Sequence, residues 1–217
     1  MGFDAESVRE LVLRLPVVLF SLTIHEVMHA WVALKCGDDT ALRAGRITLN
    51  PLVHLDPIGT LCLMFAPIGW AKPVPVNPSN YGQPRRDDIL VSGAGIAANF
   101  AMGIGFAFIM RFFGAALYGI SEVGPILFNV LFLGCVVNFG LAVFNLLPFP
   151  PLDGSHILQN LLPLNLAIRF AELRRYGIIM VIAFVMLNRF AAQALGFSLL
   201  GYPIRKLIEL FSGLDLG

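Results

Sequence analysis

The sequence predicts an all-α polytopic membrane protein: about four transmembrane helices, one re-entrant or interfacial segment and a short membrane-associated β-hairpin. Two observations carry this prediction. Of 217 residues, 57% are hydrophobic and 13% charged, with a mean hydropathy of +0.78. That is roughly half the charge of a soluble domain, which carries about 25%. Second, several apolar stretches approach or exceed the roughly 20 residues needed to cross a bilayer.

The first span is read over 8–36, with Pro16 tolerated towards its outer end. Gly37 followed by Asp38 and Asp39 supplies a C-terminal stop. The N-terminus lacks the basic start and small-residue cleavage site of a signal peptide, so this segment is expected to be retained. A second span, 89–113, follows the charged run Arg85-Arg86-Asp87-Asp88. The third, 123–147, halts at Pro148, Pro150 and Pro151. A short helix over 152–165 follows, then a fourth span over 177–195. The tail, 202–214, sets Arg205, Lys206 and Glu209 among leucines and is expected on the membrane surface.

The region 43–77 has a different character. Residues 44–50 alternate polar and apolar side chains before Pro51, which suggests a strand. The prolines of 72–77 exclude helix and leave that segment suited to a sheet edge. Between them, 59–70 is apolar but about half a span long, and is read as re-entrant or interfacial. No repeat or low-complexity tract is present, and the whole chain, 1–217, is expected to form one membrane domain.

Charge and cysteine content narrow the function. A net charge of +1 offers no basic stripe for phosphates, which excludes a nucleic-acid partner. Cys36, Cys62 and Cys135 are odd in number and widely separated, as free thiols would be. Lys35, Arg43, Arg46, Lys72, Arg85, Arg86, Arg169, Arg174 and Arg175 fall on one side of the spans. Arg9, Arg14, Arg111, Arg205 and Lys206 fall on the other. The excess places the large loop and the Asp153 region in the cytosol and both termini outside, in a protein expected in the plasma membrane.

The chemistry lies in His25-Glu26-Val27-Met28-His29. Positions i and i+4 share a helix face, so the two imidazoles can grip one ion, with Glu26 beside them as base for a metal-activated water. Ionisable groups within an apolar span are costly and mark function by default. Catalytic zinc takes three protein ligands and keeps one position for water. Candidates for the third are Asp153, His156, His54 and Asp56. Asp153 has the strongest case, because Pro148, Pro150 and Pro151 fix its approach and Gly154 permits close backbone contact. His156, three residues on, is the runner-up.

Together, His25-to-His29 and the later Asn145-Leu146-Leu147-Pro148-Phe149-Pro150-Pro151-Leu152-Asp153-Gly154 resemble the site-2 protease family of intramembrane zinc metalloproteases, in a form without a PDZ or CBS domain. The resemblance covers nearly the whole chain. It implies one catalytic Zn2+ held by His25, His29 and Asp153, Glu26 as catalytic base, and Asn145 as a donor to the scissile carbonyl or oxyanion. It also implies a transmembrane protein or peptide substrate, cleaved in or next to its membrane segment within the lipid bilayer. Segments 43–50 and 72–77 resemble the family's membrane-associated hairpin, which makes Ile47, Leu49, Val74 and Val76 candidates for substrate contact. Gly95-Ile96-Ala97-Ala98-Asn99 resembles a family glycine-to-asparagine motif, although Gly93-Ala94-Gly95-Ile96 stands where many relatives carry a Gly-Pro pair. Regulation would then come from a membrane partner or a homo-oligomer, or be absent.

Blander readings compete. Asp153 can be a helix N-cap. His54 and Asp56, between Pro51 and Pro57, can simply order their loop, with a supporting position near the zinc as the alternative; His156 and Asn99 are further candidates to support the ligands. Asn99, Asn138 and Asn145 can be hydrogen-bond glue between helices. Rival functions are a prenyl-peptide-processing membrane zinc protease, a non-catalytic zinc-containing binding or chaperone protein, and a transporter. The first takes a glutamate ligand from a later helix, yet Glu122, Glu172 and Glu209 have no ligand-like setting. The paired broken helices of a transporter are missing.

Overall fold

The computed structural model describes residues 5–59 and 70–216. Helix α1 (Ala5–Lys35) carries Pro16 and is followed by a single helical turn, α2 (Thr40–Arg43). After the loop region come α3 (Pro84–Tyr118), α4 (Val123–Asn145), α5 (Asp153–Leu161), α6 (Leu164–Ala171), α7 (Gly177–Leu195) and α8 (Gly201–Ser212). Among the described residues, four stretches are long and apolar enough to cross a membrane: Val8–Lys35, Pro84–Leu117, Val123–Asn145 and Leu164–Leu195. The chain is thus an all-α integral membrane protein. Helix α3 begins earlier than residue 89 because Pro84 suits a first helical turn, so Arg85 to Asp88 are helical.

Helix α3 is the organising element and touches α1, α4, α5 and α8. Phe139 and Ile208 are almost wholly buried with Ala107, Met110 and Cys135 at the α3–α4–α8 junction. Small residues permit this closeness, since lipid tails give no hydrophobic drive between helices and van der Waals contact must hold them. Helix α8 contributes Ile204, Ile208 and Phe211 to that junction, while Lys206 remains exposed and pairs with Glu209. Helix α7 leaves Ile178, Ile182, Met186 and Phe190 exposed, as a lipid-facing surface would.

The expected hairpin is overturned. Among the described residues there is no strand; a lone antiparallel bridge joins Leu55 to Ala71, next to a Lys72 N–H to His54 carbonyl bond of 2.8 Å. The reason is the use of backbone donors. Pro73 and Pro75 have none, the Val74 N–H donates to Glu26 and the Asn77 N–H to Asp38. Those two donors end on side chains and are lost to any partner strand. On the other side, the end of α2 at Arg43 and the left-handed Gly45 interrupt the extension expected of 43–50, and the 3-10 turn Pro51–His54 follows it. The predicted re-entrant piece, 59–70, falls almost entirely outside the described residues, as does Cys62.

Asp38, fully buried just beyond α1, staples the returning chain. Its Oδ2 accepts from Asn77 N (2.6 Å), and its Oδ1 accepts from Asn80 Nδ2 (2.8 Å) and Thr40 N (3.1 Å). Burial alone would raise this carboxyl, but the hydrogen bonds outweigh it and hold it below the ordinary carboxylate range. A depressed folded-state value means stabilisation that is complete above about pH 4 and lost as pH falls below it. Asp38→Ala is expected to cost about 2–3 kcal/mol of stability. It should also flatten the acid limb of a thermal-unfolding series in detergent micelles.

Candidate metal centre

Helix α1 places His25 and His29 one turn apart, both buried. At 1.5 Å per residue, His25 sits about 15 Å along the axis from Lys35, well inside the span. Helix α3 crosses them at Gly95, where a Cβ would collide with both imidazoles. The Nδ1 of His25 lies 2.6 Å from Asn99 Oδ1, and the Nδ1 of His29 lies 2.7 Å from the Val91 carbonyl oxygen. A carbonyl oxygen can only accept, so His29 donates through Nδ1 and turns the Nε2 lone pair inward.

Asp153 completes the cluster from the first turn of α5. The residue that caps this helix is Leu152, and no side chain caps it. Asp153 instead sends Oδ2 to 3.2 Å from His25 Nε2 and 3.4 Å from His29 Nε2, and the two Nε2 atoms are 3.0 Å apart. Gly154 makes this reach possible, because a Cβ there would strike the Leu146 carbonyl.

Three acceptor-type atoms pointed at one another repel unless a cation lies between them. Asp153 Oδ2 is buried without a hydrogen-bond partner. Zinc bonds of about 2.0–2.1 Å in a tetrahedron set ligand atoms about 3.3 Å apart, close to the separations seen. The donor set therefore fits a zinc ion. Glu26, next to His25, is also buried, and its Oε2 accepts from Val74 N at 2.7 Å.

The model of peptidase family M50 matches residues 116–188, which include Asn145 to Gly154. The chain is also 40% identical over 172 residues to YwhC of Bacillus subtilis (strain 168), a protein provisionally named a zinc metalloprotease. The match covers 77% of this chain and 78% of that relative. The chain belongs to peptidase family M50. A second relative, Rip2 of Mycolicibacterium smegmatis, also provisionally named a zinc metalloprotease, is 31% identical over 178 residues, covering 79% of this chain and 66% of Rip2. No solved structure matches. Membership makes this chain a zinc metalloprotease of the site-2 protease family that its motifs resemble.

The other residues singled out in this M50 chain fall elsewhere. Asn145 ends α4, and its Nδ2 donates to the Leu141 carbonyl 3.1 Å away. His54 donates through Nε2 to Thr48 O (3.0 Å) and faces Arg46 with Nδ1, while Asp56 accepts from Gly59 N (2.8 Å); these partners belong to their own loop. His156 turns to Asp88, 3.5 Å away on α3. Asn160 from the same helix also donates to Asp88, so this trio docks α5 on α3 behind Asp153. Ile47 and Val74 pack on Ala30 and Ala41, whereas Leu49 and Val76 are exposed.

Sequence reasoning missed Asp88, Asp38, Ser21 and the Val74 N–H on Glu26. A signal existed for Ser21, which lies four residues before His25 and so on the same face of α1.

Proposed function

We propose that this protein is an intramembrane endopeptidase that hydrolyses a peptide bond in or next to a transmembrane segment of another membrane protein. In this reading His25, His29 and Asp153 hold one zinc ion, and Glu26 is the general base. The observation that carries it is the convergence of those three donor atoms, inside a membrane span, beside a buried carboxylate. Zinc bound there supplies Lewis-acid polarisation and an acidified water.

The chain's own groups do the rest. Glu26 takes a proton from the attacking water and returns it to the leaving nitrogen. Asn145, once its amide turns away from Leu141, donates to the developing oxyanion. The extended 72–77 segment lies against the base, so an unwound substrate approaches over it, with exposed Val76 and Leu49 as contact points. The excess of basic residues on the large-loop side favours a site towards the cytosolic face of the plasma membrane.

The test is zinc content and cleavage of model transmembrane substrates by the purified chain. Asp153→Ala is expected to lower zinc affinity by at least about tenfold. Unchanged occupancy would transfer the third ligand to His156.

A further inference from the structure

Behind His25 runs a chain of buried polar side chains that crosses three helices. Asn99 on α3, Asn138 on α4 and Ser21 on α1 are each 0–1% exposed. Ser21 Oγ donates to the Val17 carbonyl (2.7 Å). Asn138 Nδ2 donates to Ser21 Oγ (2.9 Å) and to the Gly134 carbonyl (2.9 Å). Asn99 Nδ2 donates to Asn138 Oδ1 (2.9 Å) and, at 3.3 Å, to the Ser21 carbonyl. Asn99 Oδ1 then faces His25 Nδ1.

The direction of every bond follows from the backbone carbonyls at the far end. Gly134 O can only accept, which fixes the Asn138 NH2 on that side and turns its oxygen to Asn99. Asn99 must then offer its own NH2 to Asn138, and over a longer distance to the Ser21 carbonyl, so its oxygen is left for His25. A flipped Asn99 would set its oxygen against two acceptors and its NH2 against the imidazole. His25 would then be driven to carry its proton on Nε2, the atom aimed at Asp153 and His29.

We infer that Asn138 is a positioning residue for the zinc site: acting through Asn99, it sets the His25 tautomer that leaves Nε2 free for the metal. This rests on the reading of His25 as a zinc ligand. Glue between helices requires only that Asn138 and Asn99 be paired; the inferred role requires that they be paired in this one direction.

The two roles separate in a double-variant cycle on the full-length protein in detergent micelles. Readouts are zinc dissociation constants from chelator competition and the visible spectrum of the cobalt(II)-substituted protein. Asn138→Leu keeps the branched shape and removes the nearer of the two acceptors that orient Asn99 (2.9 Å, against 3.3 Å to the Ser21 carbonyl), and is expected to weaken zinc about tenfold and alter the cobalt spectrum. Asn99→Asp presents an accepting oxygen to His25 whichever way it turns. Adding it to Asn138→Leu should therefore restore about tenfold in zinc affinity together with the native spectrum. Should Asn138→Leu fail to fold, Asn138→Ser, too short to reach Asn99, carries the same comparison. Native zinc binding by Asn138→Leu, or no recovery in the double variant, overturns the inference. If Asp153→Ala weakens zinc in the same series, the zinc reading survives that failure. Native zinc affinity in both Asp153→Ala and His25→Ala overturns both.

Discussion

Glu26→Gln is expected to keep its zinc and lose about 10²–10⁴-fold in hydrolysis of a transmembrane substrate, the range that general-base catalysis contributes. Glutamine is the informative replacement because Glu26 has two tasks. Its Oε2 accepts the Val74 N–H, which anchors the 72–77 segment to α1. A glutamine oxygen can accept that same bond, so the anchor stays and only the proton-accepting capacity goes. Glu26→Ala would confound the two, leaving a buried N–H without a partner and freeing the segment. The measurement is paired: zinc per protein by elemental analysis and single-turnover cleavage of a labelled transmembrane peptide. Equal cleavage by the native chain and Glu26→Gln would remove Glu26 from the reaction. Loss of zinc along with cleavage would show that Glu26 supports the ligands.

What the sequence made legible follows from how local each signal is. His25, Glu26 and His29 lie within five residues, and their geometry needs only a helix, which the apolar run around them supplies. Asp153 was legible because the prolines before it and Gly154 after it constrain the backbone whatever the tertiary packing; the collision that a Cβ at 154 would cause with Leu146 is the tertiary side of that constraint. The loop between α1 and α3 was not legible. Its alternation and prolines do suggest extended chain, and 72–77 is extended. A strand, however, also needs a partner for its donors, and those donors go to Glu26 and Asp38, more than 35 residues away in sequence. The Ser21–Asn138–Asn99 path was equally hidden. Each is a lone polar residue in an apolar helix, and only the packing of α1, α3 and α4 decides whether its partner is another helix or a metal ligand. His54 is the opposite case: a histidine downstream of a zinc motif invites a metal role, and here both ring nitrogens face partners in its own loop.

Gly95→Ala is expected to abolish zinc binding at working concentrations and reduce hydrolysis by about 10²-fold or more, from one added methyl group. Ordinarily glycine to alanine inside a helix stabilises by about 1 kcal/mol, because alanine restricts the unfolded chain and forms helix well. Gly93 supplies that baseline, since a Cβ there meets nothing within 4 Å. Gly93→Ala should therefore leave zinc and activity unchanged and raise thermal stability slightly. At Gly95 the same methyl overlaps His29 Nε2 and the His25 ring. Neither imidazole can step aside freely, because His25 is held at Nδ1 by Asn99 and His29 by the Val91 carbonyl, both on α3 itself. Pushing α3 away moves those anchors with it and carries the Nε2 atoms off Asp153. Misplacement by about 1 Å is enough for a loss of about 10²-fold. The decisive comparison is thus between two alanines two residues apart on one helix, scored for zinc affinity and for metal-free stability. If α3 sets the closeness of the imidazoles, only the second alanine loses the metal; if both bind zinc alike, the cradle at Gly95 has slack and α3 does not set that closeness.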